Sequence, residues 1–187
     1  PLPGPVGLVA DSVGNLYIST SFKAVYKLSP DANIRLITDQ VNSPYGLAVD
    51  ASDNLFIADA GNYRVLKVTP DGLITTVAGN GSREVSGDGG PAIDAGVPSD
   101  QVAVDQAGNL FIAAAGRIRK VSSDGIITTV AGNGTSRACL AADGESAANI
   151  GIRPAGHAVD ADENLYESEA DSQWGPNHAV RILRPVQ

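Results

Sequence analysis

Few side chains in this sequence have the types and spacing for chemistry, and they lie far apart. The 187 residues include two histidines, His157 and His178, and one cysteine, Cys139. His157 and His178 with Asp171 form the first arrangement to weigh, as ligands of a metal ion. A zinc site needs three or four such ligands held by local spacing. No H-x-H or H-x-x-E pattern occurs, and His157 stands in a strand-like stretch, so a packed histidine and a loop histidine is the better reading. Gly87-Asp88-Gly89-Gly90 with Asp94 offers carboxylates beside a glycine turn but lacks the alternating ligand series of calcium loops. It reads as a surface turn. Asp59, Asn62 and Arg64 form a polar cluster that reads as a hairpin fastening. Glu167 and Glu169 share one strand face, which a solvated edge explains as well as acid–base work does. There is no G-x-S-x-G elbow, and Cys139 has no aligned histidine. The expectation is no catalytic residue, no metal, no cofactor and no enzyme.

Bulk properties narrow the partners. The formal charge is −8 and no basic run occurs, which argues against nucleic acid and anionic membranes. No apolar run reaches the length of a membrane helix. The chain begins with Pro1 and has no methionine, the pattern of a mature product or an excised piece. Asn80 in N-G-S and Asn133 in N-G-T are glycosylation sequons, a hint that both lie in surface loops.

The elements that position these residues follow from a repeat. PVGLVADSVGNLYIS from Pro5, PYGLAVDASDNLFIA from Pro44, DQVAVDQAGNLFIA from Asp100 and PAGHAVDADENLYES from Pro154 share one frame. Asp11, Asp50, Asp105 and Asp160 align, each followed by Asn15, Asn54, Asn109 or Asn164 and then by leucine and an aromatic. In the second copy GLAVD alternates as a strand does. Asp50–Asn54 is a turn, and NLFIADA, RVLKVT and LITTVAG follow as further strands. Gly14, Asp53 and Gly108 stand where the turn needs a left-handed residue; Glu163 takes that place in the fourth copy. DGLITTVAGNGS from Asp71 and DGIITTVAGNGT from Asp124 differ only at Leu73/Ile126 and Ser82/Thr135. Each reads as the last turn, outer strand and exit of one copy.

A four-stranded meander cannot bury both faces alone, and radial stacking of copies solves this as a β-propeller. The stretch from Pro44 to Val68 resembles an NHL repeat, and SGDGGPAIDAG at Ser86–Gly96 resembles a linker of extracellular bacterial NHL proteins. The resemblance implies an all-β propeller of four-stranded antiparallel blades, usually six in number. It also implies binding or scaffolding roles, and in lyase members a histidine-held metal. The expected blades are residues 5–43, 44–97, 98–153 and 154–187, the last without its outer strand. They form an open arc or part of a larger propeller.

The connection between second and third strands emerges beside the exit to the next blade. The loops 80–97 and 133–153 should therefore share a face with the insert 171–178. His157, Asp171, Trp174, His178, Asp88 and Asp94 are the candidate contacts there. The expected function is a secreted or cell-surface module that binds protein or glycan. An alternative is a self-assembling structural subunit completed by its own copies, and a metal-dependent lyase or lactonase stands behind both. In either of the first two cases the strand Val180, Arg181, Ile182, Leu183 and Arg184 should offer an edge for pairing. Leu16, Leu55, Leu110 and Leu165 should occupy equivalent buried positions.

Overall fold

A computed structural model of the chain describes residues 2, 4–21, 23–135, 146–152, 154–160, 164–169 and 179–183. The first sheet contains β1 (Pro5–Ala10), β2 (Leu16–Thr20), β3 (Ala24–Leu28) and β4 (Ile34–Thr38). The second contains β5 (Pro44–Val49), β6 (Leu55–Asp59), β7 (Arg64–Val68) and β8 (Ile74–Ala78). β9 (Ser99–Val104), β10 (Leu110–Ala114), β11 (Ile118–Val121) and β12 (Ile127–Ala131) make the third. β13 (Pro154–Val159), β14 (Leu165–Glu169) and β15 (Ala179–Leu183) make the fourth, which has three strands among the described residues. Every pairing is antiparallel and follows chain order. The inner strands β1, β5, β9 and β13 are successive neighbours, so the sheets fan out as propeller blades. Among the described residues no helix is long and apolar enough to cross a membrane.

One hairpin device recurs in each blade and accounts for the aligned Asp and Asn. Asp50 Oδ1 accepts the Asn54 backbone N–H at 2.9 Å, and its Oδ2 accepts Asn54 Nδ2 at 2.7 Å. The same pair of bonds joins Asp11 to Asn15, Asp105 to Asn109 and Asp160 to Asn164. The turn also needs one left-handed residue, supplied by Gly14 (φ 86°), Asp53 (φ 58°) and Gly108 (φ 83°). Asparagine is buried in the first three clasps, where both its donors and the carboxylate oxygens are matched.

Strand alternation then assigns the two faces of each blade. Leu55 and Ile57 on β6 pack toward the first blade with Tyr17 and Val25, while Phe56 and Ala58 pack toward the third with Val102 and Ile112. Leu55, Leu110 and Leu165 are buried at equivalent places, at 1%, 3% and 4% exposure. Leu16 differs and is only half-buried. It faces away from the second blade, toward a side that no described blade covers. In the first three blades a lysine of the third strand lies over the aromatic of the second: Lys27 over Tyr17 at 5.1 Å, Lys67 over Phe56 and Lys120 over Phe111 both at 5.6 Å.

Candidate binding site

The turn between β6 and β7 and the connection from β8 to β9 do meet on one side of the molecule. A hollow of about 510 Å³ there is lined by Asn62, Arg64, Gly79, Asn80 and Ile93. Its walls are rigid for local reasons. Asp59 is fully buried and accepts Arg64 Nε at 2.7 Å, Asn62 Nδ2 at 2.9 Å and the Asn42 N–H at 2.7 Å. That carboxylate ties the turn to the connection entering the blade. Ile93 projects from the opposite wall at 52% exposure.

The duplicated T-T-V-A-G-N-G segments serve this face as loop clasps. Asn80 Oδ1 accepts the Ser82 N–H at 2.9 Å, and Nδ2 donates to the Asp94 carbonyl at 2.8 Å. Asn133 repeats both bonds, with the Thr135 N–H and the Asn149 carbonyl, each at 2.9 Å. Gly79 and Asn80 donate backbone N–H groups to Ala92 and Ala95, just as Gly132 and Asn133 do to Ala147 and Ile150. The asparagines at the two sequons are exposed and also close their loops.

Asp88 does not stand free on this loop. Its Oδ1 accepts Arg119 Nη2 at 2.7 Å and its Oδ2 accepts the Thr129 hydroxyl at 2.7 Å. Arg119 is fully buried, and its Nη1 donates to the Gly96 carbonyl at 2.9 Å. Burial pushes the Asp88 carboxyl up; the Thr129 hydroxyl and the Arg119 guanidinium outweigh it and hold the group below its usual 3.8. Asp94 keeps an exposed side chain on the same loop. Asp171, Trp174, His178, Arg184, Cys139 and Glu163 lie outside the described residues. β15 carries Val180, Arg181, Ile182 and Leu183, pairs with β14 along one edge, and has no partner on the other among the described residues.

His157 sits in register with the positions of Leu8, Leu47 and Val102, at the joint between third and fourth blades. Its Nε2 lies 3.2 Å from the Phe111 carbonyl, and Nδ1 is sealed from solvent with no hydrogen-bond partner among the described residues. Burial lowers its pKa below 6.5, against smaller upward pulls from the Phe111 carbonyl and Asp100. The neutral ring is therefore the folded form. An unfolded chain takes up a proton near pH 6.5 where the folded one does not, so this residue costs stability as pH falls below that value. Replacing His157 with leucine should flatten the fall in urea midpoint between pH 7 and pH 5.5; an unchanged slope would place the titrating group elsewhere.

The opposite end of the blade axis is lined by the hairpin turns. A hollow of about 400 Å³ there is edged by Asp11, Asp50, Asp53, Asp105 and Asp160. Four of these carboxylates are held by the asparagine clasps, and Asp53 accepts the Ser12 N–H at 3.0 Å and hydroxyl at 2.8 Å. Among the described residues no group of three or more His, Cys, Asp or Glu is placed to hold a metal. The structure thus brings Asp88 into a pair with Arg119, a residue the sequence reading did not single out. The available signal was an arginine at a strand position that is leucine (Leu66) in the second blade and tyrosine (Tyr26) in the first.

A family model described as the Teneurin NHL domain matches residues 1–153. The chain is 29% identical to mouse (Mus musculus) Teneurin-4 over 225 aligned residues, covering 99% of this chain and 8% of that protein. It is 31% identical to human (Homo sapiens) Teneurin-1 over 211 residues, covering 97% and 8%. The chain thus spans about 8% of the length of these curated relatives. Among solved structures, a protein of unknown function from Bacteroides thetaiotaomicron superposes with a TM-score of 0.71 at 22% identity, over 89% of this chain and 44% of that one. A streptogramin B lyase superposes with a TM-score of 0.60 at 15% identity, over 98% and 55%. Likeness at that identity speaks for the fold alone.

Proposed function

Because this chain belongs to the teneurin NHL domain family, we propose that it is a non-enzymatic extracellular binding and scaffold module that uses the loop face. The observation that supports this most is the hollow between Arg64 and Ile93: a preformed concavity with an exposed apolar wall and a buried ionic anchor beneath it. Such a surface fits a protein or glycan ligand. The extracellular setting rests on the family, the sequons at Asn80 and Asn133, and the resemblance of the Ser86–Gly96 linker to those of secreted NHL proteins. Asp94 is exposed on the same loop and belongs to the proposed face, to which we also assign Asp171, Trp174 and His178; His157 lies in the blade joint behind it. N-linked glycans at Asn80 and Asn133 would project from the loop face, since each asparagine amide donates one hydrogen within the loop and keeps the other for attachment.

The test is an array of extracellular protein domains and glycans probed with the purified protein. The expected result is a ligand whose binding falls at least tenfold in Ile93→Glu while thermal melting stays within a degree or two. Turnover of a lactone or cyclic ester with a stoichiometric bound metal would overturn the non-enzymatic reading.

Assembly with further blades is a second reading with its own support. On β2, the Ser19 hydroxyl donates to the Tyr45 carbonyl of the second blade at 2.8 Å, across Gly7, whose lack of a side chain admits that carbonyl. Gly156 and Ser168 repeat this pair on the fourth blade, in the same register. There Ser168 is exposed and donates back to Gly156 at 3.2 Å. On the first blade, Leu8 stands 64% exposed where its counterpart Val102 is 5% exposed. Both outer faces fit another blade, from the same polypeptide or a neighbouring molecule, and β15 would pair with a strand of it along Val180–Arg184. Mass photometry of the native protein should show discrete closed particles for a module and a polymer series for assembly. Monomeric arcs with fast-exchanging amides along β15 would sink this second reading.

A further inference from the structure

The rims between successive blades are not alike. Between second and third blades the long connection 79–98 folds back against the third blade as an added strand. Gly89 donates its N–H to the Ile127 carbonyl at 2.8 Å, and Ile127 donates to the Gly90 carbonyl at 3.1 Å. Ala92 donates to the Gly125 carbonyl at 2.8 Å, and Pro91 bridges Ile126 antiparallel. The outer edge of β12 is thereby covered, and Ile127 is 0% exposed. Asp88 drops into the joint to meet Arg119 and Thr129.

Between first and second blades the connection is short, residues 39–43, and only Val41 is buried within it. Among the described residues no segment covers the outer edge of β8. Ile74, the counterpart of Ile127 in the identical strand sequence ITTVA, is 39% exposed. Its register is the same: Val68 faces Ile74 as Val121 faces Ile127, and Thr69 donates to Leu73 as Ser122 donates to Ile126. The N–H and C=O of Ile74 therefore point outward, as those of Ile127 do. Beside them runs a groove of about 380 Å³ lined by Ile37, Gln40, Arg64, Leu66, Ile74 and Thr76.

We propose that this groove is a docking slot for an extended peptide segment of a partner, which adds to β8 as the chain's own Gly89–Ala92 adds to β12. The occupant follows from the seated copy one blade away. Its backbone pairs antiparallel with Ile74, exchanging the two bonds that Gly89 and Gly90 make with Ile127, so glycine or small residues suit those positions. The residue in the place of Asp88 is apolar, because Leu66 (4% exposed) stands where Arg119 receives the carboxylate. A carboxylate there would lose water against Leu66, and the groove's cation, Arg64, is already paired with Asp59. The Thr76 hydroxyl, counterpart of Thr129, lies at the same point of the groove. The slot adjoins the loop-face hollow at Arg64 and Thr76, but Ile74 and Gln40 line only the slot and Ile93 only the hollow, so substitutions at these residues test the two readings separately.

Two synthetic peptides test it, both with the sequence of residues 84–97 and a fluorophore at one end, one unchanged and one carrying valine in place of Asp88. Fluorescence anisotropy with the purified protein should show saturable binding of the valine peptide at least tenfold tighter than of the unchanged one. Ile74→Pro removes the outward N–H while leaving the ladder to β7, since proline is tolerated on an edge. It should weaken the valine peptide at least tenfold with melting intact. Gln40→Trp, at an exposed groove wall, provides a second block should the proline disturb the strand. No binding of either peptide at millimolar concentration overturns the proposal. So does a tighter grip on the unchanged peptide, or binding that neither substitution weakens.

Discussion

Leu55→Ala should lower stability by about 2–5 kcal/mol, the cost of a buried leucine replaced by a smaller side chain that cannot fill its place. Leu55 is 1% exposed in the joint between first and second blades, among Tyr17, Ile57 and Val68. Both flanking sheets are pinned by their ladders and asparagine clasps, so the joint has little freedom to collapse around the vacancy. Urea unfolding at pH 7 reads the loss as a lower midpoint with an unchanged slope. Leu16→Ala provides the internal contrast. Its half-buried side chain faces no described blade, and its cost should be well below that of Leu55. Equal costs at both positions would mean that a further blade covers Leu16 in the native particle.

Asp88→Ala should be the second large effect, in the lower part of the about 3–5 kcal/mol range for breaking a buried ion pair. The placement within that range follows from geometry: the Arg119 side chain is 0% exposed, whereas that of Asp88 is 51% exposed and lets water reach the orphaned cation. Arg119→Leu should cost less, although it removes the larger side chain. It leaves the remaining carboxylate at the solvent-facing end with the Thr129 hydroxyl, and leucine is what the second blade carries at this place. The double variant should recover much of the Asp88→Ala loss, a coupling that a double-mutant cycle measures. Because the Asp88 carboxyl is held below 3.8, its contribution is complete above that value. It is lost as pH falls through the lower folded value. Simple additivity of the two changes would show that loop and blade are joined by something other than this pair.

The architecture was legible in the sequence because the repeat is written in short-range terms. Alternation in GLAVD, the left-handed place at Gly14, Asp53 and Gly108, and the leucine–aromatic pair each report a constraint acting within a few residues. The strands of all four sheets lie where those signals put them. What the sequence hid was contact between distant segments. Asp88 and Arg119 are 31 residues apart, and nothing local tells a loop aspartate waiting for calcium from one paired with a buried arginine. The same limit applied to the asparagines of the sequons. Their second use, closing a loop onto a carbonyl many residues away, is invisible in N-G-S and N-G-T. The clasping role of Asp50 and its counterparts was within reach, since the spacing to asparagine repeats without change, yet the spacing alone names no bond. For Leu16 the frame was right and the neighbourhood was not: an equivalent register position is buried only where an adjoining blade covers it.

The identity of β8 and β12, both ITTVA, bears on how the molecule reaches its native pairing. β7 and β11 each need that strand as a partner, and no side chain within it distinguishes one pairing from the other. During refolding, β7 can capture β12 and β11 can capture β8, a crossed arrangement that satisfies the same ladders. Only tethering separates the two outcomes: β8 follows β7 across a short turn, so its local concentration there greatly exceeds that of a strand a whole blade away. Within one chain the short tether favours correct pairing. In a concentrated solution of unfolded chains the competitor is intermolecular, and identical strands from two molecules can trade places. Yield on refolding should therefore fall with protein concentration, and the trapped material should be strand-exchanged dimers with native-like sheets.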